Sequence, residues 1–121
     1  MMPRAEAVFT DIFQRKAWRM GLPETVSGYG STRDNTVGIR TALPGVLRDL
    51  GVRVLLDAPC GDFNWMQQVD LGDTIYIGID IVQPLIATLH DTWTTPTRTF
   101  LHRDITTDEL PRSDLWLCRD C

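Results

Sequence analysis

The sequence has few cysteines, no excess of positive charge and no long apolar run, and each of these shortages excludes a class of protein. Three cysteines in 121 residues, an odd number, argue against a disulfide framework. Twelve Lys and Arg against 16 Asp and Glu give a net charge of -4, which offers no basic surface for nucleic acid. No apolar stretch approaches the roughly 20 residues that span a bilayer, and the N-terminus carries acids where a signal peptide has its apolar core. We therefore expect a cytoplasmic protein that binds neither nucleic acid nor membrane.

The 43% hydrophobic content is enough for one folded domain, within which two kinds of segment follow each other. Residues 1–51 are predicted to form an N-terminal helical segment, with helices over 4–20 and 39–50 on either side of a loop that contains SGYGS. Residues 52–121 alternate short apolar runs with polar or helical stretches. Strands are expected at 52–58, 74–81, 98–105 and 113–120, with helices at 63–69 and 83–93 and a single turn at 106–110. This alternation predicts an α/β fold, a Rossmann-like parallel sheet of about four strands with crossover helices.

Acidic residues stand at the ends of the predicted strands. Asp57, Asp80 and Asp104 end the first three, and Asp120 lies close to the end of the fourth. Ligands of open parallel sheets bind beyond the carboxyl ends of the strands, where a carboxylate accepts hydrogen bonds from hydroxyls or an ammonium group. A single Asp at such a position is explained as a helix N-cap, but three in succession favour a binding site.

The segment DAPCG, residues 57–61, turns sharply after the first strand. Gly61 allows bare backbone to approach a ligand because glycine has no Cβ. The N–H donors of the turn come from three residues, Ala58, Cys60 and Gly61, since Pro59 has none. A helix beginning after the turn would favour a carboxylate, and Asp57 an ammonium group. With Asp80 placed for a ribose diol, the site suits a nucleoside joined to an amino acid.

The strings VLLDAPCGD, YIGIDI, FLHRDI and DLWLCRD, in this order, resemble the class I S-adenosylmethionine-dependent methyltransferases over residues 52–121. SGYGS looks like an N-terminal element of one bacterial branch. The resemblance implies S-adenosylmethionine as cofactor, no metal, and methyl transfer by in-line displacement to an unknown acceptor, a small molecule or otherwise. It implies these contacts: Asp57 and the backbone of Ala58, Pro59, Cys60 and Gly61 to the methionine part, Asp80 to the ribose, Ile81, Asp104 and Ile105 to the adenine, and Cys118 to Asp120 on the acceptor side. The only candidate bases are Asp120 and Asp62.

The chain also departs from that family. It keeps one of the three glycines of D-x-G-x-G-x-G, and it ends after the fourth of the usual seven strands, so the fold is expected to be incomplete. The fourth strand would then be an exposed edge, which a second copy of the chain could cover as a homodimer. Truncation is the preferred explanation. The alternatives are a non-catalytic S-adenosylmethionine-binding module and a nicotinamide-dependent oxidoreductase, whose G-x-G-x-x-G turn is missing from residues 57–64.

Other conspicuous side chains receive plainer interpretations. CRDC, residues 118–121, has neither a following helix nor enough further ligands for a redox or zinc site. Cys60 is expected to be a small residue in a tight turn rather than a nucleophile. The four tryptophans are expected to pack in the core, although Trp65 or Tyr29 could lie over the cofactor.

Overall fold

The computed structural model of the chain describes residues 6, 7, 10 and 31–119. Residues 6, 7 and 10 are helical, in keeping with the helix predicted over 4–20, but the rest of that helix lies outside the described residues. Tyr29 and Asp120 also lie outside them. The division of the chain at residue 51 stays a prediction.

The predicted parallel sheet is confirmed. Its strands are β1 (Val54–Asp57), β2 (Ile75–Asp80), β3 (Arg98–His102) and β4 (Leu115–Leu117). All the pairings are parallel and the order across the sheet is β3-β2-β1-β4. The strands are short apolar runs that read as continuously buried rather than alternating, as expected where both faces of a sheet are covered.

Two predicted helices are present. The first, α1 (Val37–Asp49), follows a 3-10 turn at Asp34–Thr36 and contains Pro44. Gly51 has a φ of +64°, the left-handed conformation that ends many helices. The second helix, α2 (Gln83–Trp93), begins with a proline in its first turn and connects β2 to β3. It buries Leu85, Ile86 and Leu89 on one side.

The helix predicted at 63–69 is wrong. Only Met66–Gln68 form a 3-10 turn there. Phe63 has a φ of +64°, a conformation that no α-helix contains, and the N–H of Asn64 is held by Asp62 Oδ1 at 3.1 Å. The helical turn predicted at 106–110 is replaced by a hydrogen-bonded turn that begins at Asp104.

Two apolar clusters lie on the opposite faces of the sheet. The larger combines α1 and α2 with one face of the strands, including Leu55, Tyr76 and Phe100. The smaller is centred on Leu56, Ala58 and Ile79 on the other face, and Leu110 packs against it. Among the residues described, no helix is long and apolar enough to cross a membrane.

Candidate functional site

The carboxyl ends of the strands are staggered rather than level. Asp57 at the end of β1 pairs with Gly78, so β2 continues for two more residues, and Asp80 in turn pairs with His102 of β3. Each step of two residues corresponds to about 6 to 7 Å along a strand. Because side chains alternate between faces, Asp57 and Asp80 both lie on the face of the larger cluster. The stagger leaves room beside β2 for the turn that follows β1.

That turn is held on both sides by the neighbouring strands. The N–H of Ala58 donates to the carbonyl oxygen of Leu117 in β4 at 3.1 Å, and the N–H of Cys60 donates to the carbonyl oxygen of Ile79 in β2 at 2.8 Å. The indole N–H of Trp116 donates to the carbonyl oxygen of Ala58 at 3.0 Å. The turn therefore continues the hydrogen bonding of the sheet past the last residue of β1, with a cis peptide bond at Pro59.

Asp80 fixes the far end of the turn. Its Oδ2 accepts the N–H of Gly61 at 3.1 Å, and its Oδ1 accepts the N–H of Val82 at 3.1 Å. Burial raises the pKa of Asp80, and these backbone donors oppose that rise. Gly61 has a φ of +58°, which a residue with a side chain adopts only under strain. The single glycine kept from the glycine-rich pattern is thus the one that the turn requires.

Asp57 and Tyr76 form a buried pair below the turn. The Tyr76 hydroxyl donates to Oδ2 of Asp57 over 2.6 Å, and the two side chains are 1% and 3% exposed respectively. Burial raises the pKa of Asp57 to about 7, the hydrogen bond from Tyr76 opposes this rise, and the nearby Asp80 charge adds to it. The pKa of Tyr76 is itself raised by burial, so it remains a hydrogen-bond donor. Near neutral pH the pair therefore exchanges a proton with solvent through Asp57 alone.

Gly78 makes the contact between Asp57 and Tyr76 possible. It faces Asp57 across β1 and β2, and a Cβ at this position would lie 3.0 Å from the Tyr76 hydroxyl oxygen and 2.9 Å from Phe100. Both separations are closer than van der Waals contact allows. The absent side chain forms a slot through which the tyrosine ring reaches the end of β1.

Asp104 does not join the two buried acids. It lies two residues past the end of β3, it is exposed, and its Oδ1 accepts the N–H and the hydroxyl of Thr106 at 2.9 and 2.6 Å. These bonds lower its pKa. Ile105 packs against the smaller cluster, on the face opposite to Asp57 and Asp80. The expectation that three strand ends present their acids together therefore holds for two of them.

The remaining predicted residues take several positions. Ile81 packs partly buried against the larger cluster. Cys60 is a buried free thiol whose pKa is raised well above its ordinary value, first by burial and then by the Asp80 and Asp57 charges, which favours the structural interpretation of this residue. Cys118 follows β4, is exposed and is disulfide-bonded, a single bridge that the odd cysteine count did not predict. Trp65 packs in the larger cluster, and Asp62 caps the turn at Asn64.

Sequence reasoning missed three contacts that shape the site. Tyr76 was read only as part of a strand. Asn64 donates from Nδ2 to the carbonyl oxygen of Ser31 at 2.9 Å, which joins the turn to the end of the SGYGS segment. His102 Nε2 lies 2.7 Å from Oε1 of Glu6 and 3.0 Å from the carbonyl oxygen of Ile81. The two hydrogen-bonding residues at either end of each contact lie too far apart in sequence for a local pattern to signal it.

Two surface clefts lie away from the paired acids. One is lined by Arg103, Asp108 and Arg112 beyond β3, and the other by Leu47 and Asp70 at the opposite edge of the sheet. Within the described part of the chain, no three His, Cys, Asp or Glu side chains are grouped closely enough to hold a metal ion. Comparisons of the chain with protein-family models, with curated proteins and with solved structures find no match.

Proposed function

We propose that this chain is the cofactor-binding portion of an S-adenosylmethionine-dependent methyltransferase. The observation that carries the proposal is the turn at residues 57–61, which is clamped between β4 and β2 and has a buried carboxylate at each end. Such a turn at the carboxyl edge of a parallel sheet is where nucleoside ligands bind in folds of this kind.

The acids present suit the two polar parts of this cofactor. Each Asp80 oxygen accepts one backbone N–H, and a carboxylate offers about four acceptor positions, so capacity for two ribose hydroxyls remains. Asp57 supplies a negative charge in a region from which water is largely excluded, where it favours a cation such as an α-ammonium group. These residues would hold the ribose and the amino-acid end of the cofactor.

The local backbone favours this ligand over a dinucleotide. Residues 58–65 are described throughout and contain no helix, and the first helical turn after β1 is the three-residue Met66–Gln68. A pyrophosphate would therefore lack the helix N-terminus that binds it in nicotinamide-dependent enzymes. The same finding removes the helix start expected to hold a carboxylate, so that group would depend on the N–H donors of the turn.

When bound, the cofactor supplies a methyl group on a sulfonium that is already a good leaving group. The chain's own residues would contribute orientation and exclusion of water: the clamped turn fixes one end of the site, and Asp80 fixes the sugar. Asp62 and Asp120 stay the candidate bases. Asp62 is only partly buried and already caps the turn, and Asp120 lies outside the described residues.

Calorimetric titration with S-adenosylhomocysteine and, separately, with NAD tests the proposal. We expect saturable binding of the first and none of the second. Binding of NAD alone, or of neither compound, would refute it. Binding of S-adenosylhomocysteine by a protein that transfers no methyl group to any acceptor supplied would favour the non-catalytic module.

Two further expectations belong to this proposal. The acceptor, a small molecule or otherwise, would bind on the side of β4, and the protein would act in the cytoplasm. Among the described strands β4 forms one edge of the sheet and carries Trp116, which is 47% exposed. A homodimer formed by covering this edge with a second copy of the chain would appear in sedimentation analysis as a doubling of mass.

A further inference from the structure

We propose that Tyr76 is a positioning residue of this site, which acts through Asp57 to make the site selective for ligands with a cationic amino group. The inference rests on the proposed function and names what the conserved-looking acid at the end of β1 needs in order to serve it. It extends the site by one residue that no sequence pattern marked.

The argument starts from the geometry of the pair. Asp57 ends β1 and Tyr76 lies near the start of β2, yet the tyrosine ring crosses Gly78 to place its hydroxyl 2.6 Å from Oδ2 of Asp57. Phe63 and Phe100 hold the ring at centroid distances of 5.4 and 5.8 Å. A ring packed in this way has little freedom, so the hydroxyl fixes the orientation of the carboxyl group.

The charge of Asp57 depends on the same contact. Burial favours its neutral form, and the neighbouring Asp80 does so as well, whereas the hydrogen bond from Tyr76 favours the anion. The other ionisable groups that act on the pair are Cys60, on the turn above it, and Arg98 of β3, which acts on Tyr76. Without the hydroxyl, Asp57 would hold its proton to higher pH and would lose its preference for a cation near neutral pH.

Two probes separate a role in selectivity from a role in stability. S-adenosylhomocysteine carries the amino-acid end, and 5′-methylthioadenosine has the same nucleoside without it. Tyr76→Phe keeps the ring and removes only the hydroxyl. We expect this variant to bind S-adenosylhomocysteine about tenfold more weakly at pH 7, the size of one hydrogen bond to a charged group, and to bind methylthioadenosine as the wild type does. The loss should narrow at pH 8.5, where Asp57 is ionised in both proteins.

Trp116→Phe is the matched control, because it removes a hydrogen bond to the same turn, at the Ala58 carbonyl, without touching Asp57. It should change the affinities for the two probes by equal factors. A Tyr76→Phe variant that loses affinity for both probes equally, or at all pH values equally, would show a purely structural role and overturn the inference. In an Asp57→Asn background, Tyr76→Phe should no longer alter the ratio of the two affinities.

A measurement without ligand distinguishes this inference from the proposed function. Carboxyl carbon NMR should report a higher pKa for Asp57 in Tyr76→Phe than in the wild type. An unchanged value would overturn the inference even if S-adenosylhomocysteine binds. A raised value in a protein that binds neither nucleoside would refute the proposed function, and with it the selectivity, while leaving the hydrogen-bond effect established.

Discussion

The Oδ2 atom of Asp80 accepts the backbone N–H of Gly61 at 3.1 Å, across the gap between the end of β2 and the turn after β1. The other carboxylate oxygen accepts the N–H of Val82, so one side chain fixes two backbone segments. Asp80 is thus part of the framework of the turn as well as the expected partner of the ribose. Both roles depend on its being ionised.

Substitutions of Asp80 should therefore affect ligand binding in a graded way. Asp80→Asn keeps one acceptor oxygen, and Asp80→Ala keeps none. We expect S-adenosylhomocysteine binding to weaken by on the order of 1 to 3 kcal/mol in the alanine variant and by less in the asparagine variant, because charge-assisted hydrogen bonds are lost. Calorimetric titration measures both.

Asp70→Asn is the control for this series, because exposed Asp70 also accepts a glycine N–H, that of Gly72 at 2.9 Å, but at the opposite edge of the sheet. Its affinity should equal that of the wild type. Unchanged affinity in Asp80→Ala would count against the ribose assignment and against the turn as the ligand site.

The stability of the fold should depend on the ionisation of Asp57. Its pKa is about 7 in the folded protein against an ordinary 3.8, so the folded state binds the proton more tightly. The free energy of unfolding should then fall as the pH rises from about 4 to about 7, by up to on the order of 4 kcal/mol for this group. Burial of Asp80 contributes in the same direction.

Asp57→Asn removes this titration while keeping an oxygen that can accept the Tyr76 hydroxyl. The variant should gain stability relative to the wild type between pH 5 and pH 8, as measured by urea unfolding at both values. Asp73→Asn, at an exposed position, should follow the wild type. If the difference in unfolding free energy between Asp57→Asn and wild type is the same at both pH values, the folded pKa of Asp57 is not raised.

The contact between Glu6 and His102 should stabilise the protein measurably. The 2.7 Å contact joins a residue near the N-terminus to the end of β3, and the Glu6 side chain is 11% exposed. Glu6→Gln removes the charge, and we expect the Tm to fall by about 2 to 4 °C, since a half-exposed pair of this kind contributes little. Thermal unfolding followed by circular dichroism measures the change. Exposed Glu109→Gln should leave the Tm unaltered, and an equal fall in both variants would assign the effect to net charge.

The sheet could be predicted from the sequence because β1, β2 and β3 are short apolar runs with an acid at or just beyond their ends. The helix at 63–69 could not be excluded, because Phe63, Trp65 and Met66 are the aromatic and apolar residues that a buried helix also contains. Its failure has a local cause. The Asp62 side chain captures the N–H of Asn64, and Phe63 takes a left-handed conformation to enter the aromatic cluster.

The candidate site was predictable only in part. That Asp57 and Asp80 end neighbouring strands follows from the sequence, but Asp104 has the same local pattern and lies apart. What separates them is the register: each strand extends two residues beyond its neighbour, so the third acid reaches solvent. Register depends on pairing between distant segments, and a single sequence does not specify it. The contact of Tyr76 with Asp57 has the same origin.

The slot at Gly78 yields a test of the packing below the site. Gly78→Ala would place a methyl group 2.9 Å from the Phe100 ring and 3.0 Å from the Tyr76 hydroxyl, both of which are enclosed by the larger cluster. We expect the free energy of unfolding to fall by about 1 to 3 kcal/mol, the usual cost of overpacking a core.

Gly38→Ala makes the same chemical change in α1, where an added Cβ meets nothing within 4 Å. Replacing a helical glycine by alanine should stabilise the protein by about 0.5 to 1 kcal/mol. Urea unfolding of the two variants should therefore give shifts of opposite sign. The Gly78→Ala variant should also bind S-adenosylhomocysteine more weakly than Gly38→Ala, because displacement of the Tyr76 ring moves its hydroxyl from Asp57. Equal stability of the two variants would mean that the tyrosine ring does not occupy the slot, and the orientation of Asp57 would then need another cause.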